Sequence, residues 1–307
     1  MIGVVVMAYG TPAGPDDLEP YYTHVRGGRP APPELVAELA ERYGAIGWRS
    51  PLAQITRAQA ASLARELEAA APGRFRVAVG FKHAEPWIED AVHELLDAGV
   101  ERLVGIALAP HFSALSVGSY AKRLREAAGG TPVAVVRSWH LAAPYVELLA
   151  GEVLRALREL GPDAAGAEVV FTAHSLPERI LALGDPYPEQ LRETARAVAE
   201  RAGLPRWSVA WQSAGRTADP WLGPDVLEVL RARAGTVAPA VVVCPAGFVA
   251  DHLELLYDLD LEAAGLAREL GIAFARTRAP NDAPLLAQAL AGAVLAAAGA
   301  PAPAAVA

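Results

Sequence analysis

Three acidic residues spaced four apart are the first feature of the chain that suggests chemistry. Residues 251–262 read DHLELLYDLDLE, and in an α-helix Glu254, Asp258 and Glu262 would lie along one face. Like charges at this spacing repel each other by roughly a few tenths of a kcal/mol per pair. A solvated acidic face near a helix N-terminus accounts for part of the row, because the helix dipole favours negative charge there. A bound cation accounts for its full length, and both interpretations stay open at this point.

His174 is the second candidate. It ends the apolar run EVVFTAH, which predicts a strand, and a turn containing Pro177 follows. In parallel α/β proteins ligands bind beyond the carboxyl ends of strands, so the His174 side chain is expected to face such a site. Neutral imidazole is both a ligand for divalent metals and a base with a pKa near neutrality. His83 and His111 occupy analogous positions earlier in the chain.

Other catalytic patterns are weak or missing in the sequence. There is no GxGxxG after the first predicted strand and no GxxxxGK[ST] anywhere, so nucleotide binding in the usual manner has little support. Ser175 also follows a strand, but it lies in HSLP and not in GxSxG. A hydrolase triad of Ser175, His174 and an acid is therefore possible by composition and weak by pattern.

The composition is that of a globular protein. Of 307 residues, 53% are hydrophobic and 20% are charged, which is enough apolar material for one large or two ordinary domains. The formal net charge of −8 argues against a general nucleic-acid binder. The single cysteine, Cys244, excludes an internal disulfide and a cysteine-only zinc or iron–sulfur site within the chain, and it fits a reducing compartment.

Neither end of the chain predicts a targeting or membrane segment. The N-terminal MIGVVVMAYGTP has no basic region before its short apolar run, and it predicts a buried strand rather than a signal peptide. Residues 285–300 are apolar but mostly alanine, and we expect a helix docked on a sheet there. Residues 301–307 predict a disordered tail. We expect a cytoplasmic protein without stable membrane insertion.

Strands and helices are predicted to alternate along the chain. Runs rich in valine and isoleucine alternate with long segments of helical period, which is typical of βα units that build a parallel sheet. Strands are predicted at residues 2–7, 75–81, 103–108, 133–136, 168–173, 208–212, 241–244 and 272–275. Helices are predicted at residues 33–43, 52–70, 86–98, 144–160, 189–202 and 224–233. The fold class is therefore α/β, with four strands on each side of a hinge at residues 161–167.

Polar side chains gather after the predicted strands. The first three strands are followed by AYGTP, KH and APHFS. Three strands of the second half are followed by HSLP, SAGR and PAGF. Because these segments meet at the carboxyl edges of the two sheets, they predict a polar ligand-binding cleft.

Nine segments, taken in order, resemble one known family. They are AYGTP (8–12), YYTHVRGGR (21–29), SPLAQIT (50–56), GFKHAEPWIEDAV (80–92), LAPHFSALSVGSY (108–120), FTAHSLPERI (171–180), DPYPEQL (185–191), WQSAGRTADPWLGPDV (211–226) and GFVADHLELLYDLD (247–260). Together they resemble the ferrochelatases, which insert ferrous iron into a porphyrin, over nearly all of the chain. The similarity is greatest to the soluble bacterial coproporphyrin III ferrochelatases.

The resemblance implies a fold and an activity. The fold is chelatase-like, with two Rossmann-like halves at residues 1–160 and 161–300, a C-terminal helix able to pack back on the first half, and the porphyrin in the cleft between the halves. The activity is insertion of Fe²⁺ into coproporphyrin III to give coprohaem in haem biosynthesis. The opening question then has an answer, since a dication or protons passing along the acidic row would offset its repulsion.

The resemblance also implies roles for individual residues. His174 and Glu254 are the catalytic pair, with His174 acting as metal ligand or as acceptor of pyrrole protons. The implied metal-binding residues are His174, Glu254, Tyr9 on the opposite porphyrin face, and Asp258 and Glu262 as a secondary acidic row. The implied substrate-binding residues are Tyr9, Arg26, Arg29, Arg42, Tyr43, Ser50, Lys82, His83 and Tyr120.

Two departures from the family pattern affect these expectations. Relatives often have two consecutive arginines where this chain has Arg26 followed by Gly27 and Gly28, which removes one expected propionate contact. Some relatives carry a cysteine-ligated [2Fe–2S] cluster, which Cys244 alone cannot build. We therefore expect no cofactor beyond the substrate Fe²⁺.

Several alternatives remain at this point. The same fold would serve a protoporphyrin IX ferrochelatase or a metal- or haem-trafficking protein without turnover. A cobalt or nickel chelatase usually pairs histidines at its metal site, whereas the expected partner of His174 is Glu254. Porphyrin and Fe²⁺ are the expected partners, with no nucleic acid, and we expect a monomer with transient contacts to other haem-pathway enzymes.

Overall fold

Each half of the chain builds a four-stranded parallel sheet. The computed structural model describes residues 1–217, 219–236 and 239–299. The first sheet has the order β2-β1-β3-β4 and the second the order β6-β5-β7-β8, so both halves repeat one topology. The strands are β1 (Ile2–Ala8), β2 (Phe75–Phe81), β3 (Arg102–Ala107), β4 (Val133–Val136), β5 (Glu168–His174), β6 (Trp207–Gln212), β7 (Ala240–Cys244) and β8 (Ala273–Arg276). The predicted α/β fold with two four-stranded sheets is confirmed.

Helices flank both sheets. They are α1 (Leu18–Val25), α2 (Pro33–Ala45), α3 (Leu52–Ala70), α4 (Ile88–Asp97), α5 (Val117–Ala128), α6 (Ala143–Leu160), α7 (Arg179–Ala182), α8 (Tyr187–Ala202), α9 (Val226–Arg233), α10 (Ala264–Glu269) and α11 (Pro284–Ala297). Short 3₁₀ segments occupy Pro15–Asp17 and Gly161–Gly166, and a π-helix occupies Glu254–Ala263.

Two predicted helices begin later than expected, for one reason. The sequence places Pro86 and Pro224 in the first helical turn, but both lie before the helix starts, where their carbonyls accept hydrogen bonds from strand ends. The Phe81 amide donates to Pro86 at 2.8 Å and the Trp211 amide donates to Pro224 at 2.9 Å. Helices α4 and α9 then begin with Asp or Glu side chains that cap free backbone amides.

The central strands are buried on both faces. Every residue of β1 and of β7 is buried, which explains why their sequences are continuous apolar runs without alternation. One connected cluster of buried side chains includes Val4 of β1, Phe171 of β5, Leu149 of α6 and Leu290 of α11. A shared core therefore connects the two sheets.

The last helix of each half packs against the other half. Helix α6 contacts α8, β7 and β8 of the second half, whereas α11 contacts α3, β3 and β4 of the first. The two helices also contact each other. This exchange fixes the two halves relative to each other and leaves their carboxyl edges facing one cavity. The predicted tail, residues 301–307, lies outside the described residues.

Within the described ranges, none of the helices combines the length and the apolar character that a membrane crossing requires.

Candidate active site

A cavity of about 540 Å³ lies where the carboxyl edges of the two sheets meet. Tyr9 and His83, which follow β1 and β2, line it from the first half. His174 at the end of β5, Ser213 after β6 and Glu254 at the start of the π-helix line it from the second half. The segments that the sequence placed at the strand ends are therefore brought together around one space.

His174 presents a bare ring nitrogen to the cavity. Its Nδ1 lies 2.5 Å from the Ser175 carbonyl, which can only accept, so the proton of the neutral ring is on Nδ1 and Nε2 carries a lone pair. The Tyr187 hydroxyl donates to the His174 carbonyl at 3.0 Å and fixes the backbone. An imidazole held in this tautomer is suited to accept a proton or to bind a metal ion.

Glu254 faces this nitrogen. Its Oε1 lies 3.6 Å from His174 Nε2, and its side chain is 26% exposed. Burial alone would raise the pKa of Glu254, but the charge that His174 carries when protonated, the hydrogen bond and charge of His252, and the charge of Arg42 outweigh burial and lower the pKa to about 2. The carboxylate is therefore ionised at neutral pH, and it supplies a fixed negative charge beside the imidazole.

His252 is a site residue that the sequence reasoning missed. Its Nε2 lies 3.8 Å from the second oxygen of Glu254, and its Nδ1 lies 2.9 Å from the Ala250 carbonyl. Burial disfavours the charged imidazole, but Glu254 and the Ala250 carbonyl outweigh burial and raise the pKa of His252. Its position two residues before Glu254, in the same polar segment, was the available signal. Two imidazoles thus flank one carboxylate.

Asp258 is tied to the first half of the chain. Its carboxylate forms an ion pair with Arg42 of α2 and accepts a hydrogen bond from the Ser213 hydroxyl at 2.5 Å. Burial raises the pKa of Asp258, Arg42 and Ser213 oppose burial, and Glu254 adds to it, which leaves the pKa at about 6. Asp258 does not line the cavity, so it lies one layer behind Glu254.

The acidic row is not continuous. The segment forms a π-helix with i→i+5 hydrogen bonds rather than the α-helix assumed from the spacing, and such helices are rare and frequently mark functional sites. Asp258 is 6% exposed, whereas Glu262 is exposed on the surface. The three carboxylates therefore occupy three different environments: beside the cavity, behind it and in solvent.

Arg276 of β8 braces the π-helix. Its guanidinium binds both Asp260 oxygens, at 2.6 and 2.8 Å, and reaches Asp251 at 3.2 Å. Asp251 in turn exchanges two hydrogen bonds with Asn281, at 2.9 and 2.8 Å. The network holds the chain three residues before Glu254 and six residues after it, so it fixes where the π-helix starts and how it is oriented.

The first half contributes a cluster of aromatic and basic side chains near Tyr9. The Tyr9 and His83 rings lie 4.5 Å apart, and His83 Nδ1 lies 2.9 Å from His24 Nδ1. Burial, followed by the charges of Lys82, His24 and Arg123, lowers the pKa of His83 to about 3, so this ring is neutral at physiological pH. Lys82 Nζ donates to Ser119 at 2.8 Å.

Tyr43, Ser50 and Tyr120, which were predicted to bind substrate, all line the cavity. The Tyr43 hydroxyl lies 3.1 Å from the Thr11 hydroxyl, and burial raises the Tyr43 pKa to about 12. Ser50 Oγ is buried without a hydrogen-bond partner among the described residues. An unpaired hydroxyl in a cavity wall is suited to bind a polar group of a ligand.

Arg26 and Arg29 are not part of the cavity lining. Arg29 is exposed, and its Nε donates to the Arg26 carbonyl at 3.3 Å. The Arg26 guanidinium lies 5.9 Å from the centre of the Tyr22 ring, and Tyr22 does line the cavity. Arg26 is therefore separated from the cavity by one side chain, while Arg29 lies further out.

Gly247 lets the loop after β7 approach β5. A Cβ at this position would lie 2.4 Å from the Ala173 Cβ and 2.8 Å from its Cα, distances that no side chain tolerates. Its amide donates to the Thr172 carbonyl at 2.9 Å. The glycine thus sets how closely the segment leading to His252 and Glu254 lies against the strand that carries His174.

Two further arrangements bear on the chemistry. Ser175 is 1% exposed and its hydroxyl donates to the Leu222 carbonyl at 2.8 Å, so it is not available as a nucleophile. Among the described residues, no group of three or more His, Cys, Asp or Glu side chains is arranged to hold a metal ion. The geometry therefore pairs an imidazole base with a carboxylate rather than building a closed metal cage.

Solved structures with this fold include SirB and CbiX. SirB from Bacillus subtilis, determined with Fe³⁺, superposes with a TM-score of 0.62 over 97% of this chain and 95% of SirB, at 12% identity. CbiX, described as the terminal enzyme of sirohaem biosynthesis in denitrifying bacteria, superposes with a TM-score of 0.56 over 96% of this chain and 98% of CbiX, at 14% identity. At these identities the likeness shows the fold alone.

Sequence comparison identifies the family. The ferrochelatase family model matches residues 1–298. A coproporphyrin III ferrochelatase from Anoxybacillus flavithermus is 46% identical over 301 residues, covering 96% of this chain and 96% of that protein. One from Bacillus subtilis is 45% identical over 300 residues, covering 96% and 97%. These matches confirm the resemblance seen in the nine segments: the chain belongs to the ferrochelatase family.

Proposed function

We propose that this chain is an enzyme that inserts Fe²⁺ into coproporphyrin III and releases iron coproporphyrin and two protons. The relatives that are 45–46% identical carry the name coproporphyrin III ferrochelatase. The observation that carries the proposal is the pair formed by His174 Nε2 and Glu254 Oε1, 3.6 Å apart at the cavity wall. When a dication replaces the pyrrole protons, a base must accept those protons, and a fixed negative charge stabilises the protonated base.

Residues of the cavity are proposed to carry out each step of metal insertion. The bare Nε2 of His174 accepts a pyrrole proton, and the ionised Glu254 stabilises the imidazolium that forms. Once the first proton has passed on to Asp258, Nε2 accepts the second, and Fe²⁺ takes the place of both, so the charge of the macrocycle centre is conserved. A protonated Nε2 has no lone pair for a metal ion, so on this face the Glu254 carboxylate is the proposed ligand of Fe²⁺, the second substrate. Tyr9 is proposed to approach it from the opposite face.

Asp258 is the proposed next acceptor in the removal of protons. With a pKa of about 6 it takes up and gives up a proton near neutral pH, unlike Glu254, which stays ionised. Ser213 connects Asp258 to the cavity wall. Glu262 is proposed to act only at the exposed end of this route, where it exchanges with solvent.

The cavity suits a substrate with several carboxylates. Coproporphyrin III carries four propionates and protoporphyrin IX carries two. Lys82 and the unpaired Ser50 hydroxyl line the cavity, and Arg42 lines it while it is paired with Asp258. Arg26 is proposed to join them through movement of Tyr22. Each charge-assisted hydrogen bond contributes about 1.5–3 kcal/mol before entropy is counted, which favours the substrate with more carboxylates.

Multiple turnover tests the proposal. Anaerobic incubation of the protein with excess Fe²⁺ and coproporphyrin III is expected to give many equivalents of iron coproporphyrin per protein. A product limited to one equivalent would indicate a trafficking protein and would overturn the enzyme assignment.

Four further properties remain predictions. They are a cytoplasmic location, a monomeric state, transient contacts with haem-pathway enzymes and independence of any cofactor beyond Fe²⁺.

A further inference from the structure

Two ion pairs of opposite polarity connect α2 to the second half. Glu38 and Arg42 lie one helical turn apart on α2. Glu38 pairs with Arg216, from the loop after β6, and Arg42 pairs with Asp258 of the π-helix. The positively charged member of the first pair, Arg216, belongs to the second half. The positively charged member of the second pair, Arg42, belongs to the first half.

The two pairs differ in what surrounds their carboxylates. The Asp258 side chain is 8% exposed and does not line the cavity, whereas the Glu38 side chain is 33% exposed and lines it together with Arg216. The carboxylate that binds Arg42 therefore lies behind the cavity wall. Arg216, with 69% of its side chain exposed, is bound by a carboxylate that shares the cavity edge.

Lys82 is the third lysine or arginine at the cavity wall, besides Arg42 and Arg216, and it already has interaction partners. Its ammonium group donates to Ser119 and lies 5.4 Å from the centre of the Tyr120 ring. Burial, followed by the charge of Arg123, lowers the pKa of Lys82. Among the arginines and lysines that line the cavity, Arg216 is therefore the one whose binding partner is a carboxylate that a second carboxylate can replace.

The loop that carries Arg216 is held in place. A Cβ on Gly215 would lie 2.4 Å from the Trp221 ring, so only glycine allows this close approach. On the other side of Arg216, Thr217 Oγ1 accepts a hydrogen bond from Trp221 Nε1 at 2.9 Å. The residues on both sides of Arg216 therefore lie against one indole, which itself lines the cavity.

We propose that Arg216 binds a propionate of the porphyrin and that Glu38 holds this site until the substrate replaces it. This inference rests on the proposed function. Exposed ion pairs contribute little to stability, so exchanging one carboxylate for another at the Arg216 guanidinium costs little. The contact with Glu38 joins one guanidinium nitrogen, Nη2, to one carboxylate oxygen, Oε1. A guanidinium can bind a carboxylate through two parallel hydrogen bonds, so a propionate at this position can make at least the contact that Glu38 makes. Glu38 is then a competitor of the substrate rather than a structural latch.

Porphyrin binding in two variants separates these roles. Fluorescence titration of the metal-free protein with coproporphyrin III is expected to show a Kd about three- to tenfold higher in Arg216→Gln, and a Kd about two- to fivefold lower in Glu38→Gln. A latch that merely holds the halves together would weaken binding in both variants. Equal directions of change would therefore overturn the proposal.

A double variant separates exchange from general electrostatics. Removing the Glu38 charge would favour an anionic ligand in any case, but exchange at Arg216 predicts that Glu38→Gln changes Kd by less than twofold in the Arg216→Gln background. The same tightening in both backgrounds would overturn the proposal. Arg179→Gln is the charge-matched control, because Arg179 is 58% exposed, pairs with Asp219 and lies outside the cavity lining.

Failure of this inference is distinguishable from failure of the proposed function. Wild-type insertion of Fe²⁺ into coproporphyrin III together with an unchanged Kd in Arg216→Gln would reject the role of Arg216 alone. Lack of both porphyrin binding and iron insertion by the wild type would reject the function, and the role of Arg216 with it.

Discussion

His174 Nε2 lies 3.6 Å from Glu254 Oε1, across the gap between the end of β5 and the start of the π-helix. The Ser175 carbonyl fixes the proton of His174 on Nδ1, so the nitrogen that faces Glu254 is the one that can accept a proton. The base and the carboxylate come from segments about 80 positions apart in the sequence, and they meet only because β5 and β7 are neighbours in the sheet.

His174→Ala is predicted to lower kcat for iron insertion by at least ~10²-fold, because the reaction loses its base or ligand. Porphyrin affinity and the fold are expected to survive, as shown by fluorescence titration and circular dichroism. His93→Ala, which removes an exposed histidine on α4, is the matched control. Turnover close to that of wild type in His174→Ala would reject this assignment.

Glu254→Gln is predicted to be nearly as damaging to kcat, since it keeps the volume and removes the charge. It also has a spectroscopic consequence. Glu254 raises the pKa of His252, so an NMR titration of the histidine resonances is expected to show a lower His252 pKa in the variant. An unchanged His252 pKa would show that the carboxylate does not govern this ring. The exposed Glu262→Gln is expected to be milder than either Glu254→Gln or Asp258→Asn.

Asp258 is predicted to make stability depend on pH. Its pKa is about 6 in the folded protein and about 3.9 in an unfolded chain. Below about pH 4 the carboxyl is neutral in both states, and between pH 4 and 6 it ionises first in the unfolded chain, so stability falls as pH rises through this window. Asp258→Asn is expected to remove this part of the decline in Tm. Parallel Tm curves for the two proteins between pH 4 and 7 would contradict the raised pKa.

The sequence predicted the strands well because they depend on local patterns, whereas the pairing of His174 with Glu254 came from the family resemblance and stays a prediction. Apolar runs mark β1 and β7, and His174 stands at the end of its strand. The π-helix was not predicted, because its residues are compatible with an α-helix and the i→i+5 register depends on distant contacts such as Arg276. Arg216 belongs to SAGR, one of the segments predicted to line the cleft, but only the assembled cleft places it opposite Glu38. His252 was within reach, as a polar residue in the segment already singled out.

Arg276→Gln is predicted to lower kcat without preventing porphyrin binding. The change removes both hydrogen bonds to Asp260 and the contact with Asp251, so the π-helix loses its brace and Glu254 loses its position. The free energy of unfolding is expected to fall by about 1–3 kcal/mol. Arg276→Lys should not restore kcat, because an ammonium group cannot make the two-pronged bond. The exposed Arg268→Gln on α10 is the control, and an equal loss of kcat in both variants would count against a positioning role.

The most direct test compares the two porphyrins in one anaerobic assay. Initial rates of Fe²⁺ insertion by the wild-type protein are measured over a range of coproporphyrin III and of protoporphyrin IX concentrations, and kcat/KM is obtained for each. We predict multiple turnover with coproporphyrin III, and a kcat/KM for coproporphyrin III that is clearly higher than that for protoporphyrin IX. The reason is that the additional carboxylates of coproporphyrin III meet basic and hydroxyl groups at the cavity wall. Equal or higher kcat/KM for protoporphyrin IX would contradict the substrate assignment, and no insertion into either porphyrin would contradict the assignment of the chain as an active ferrochelatase.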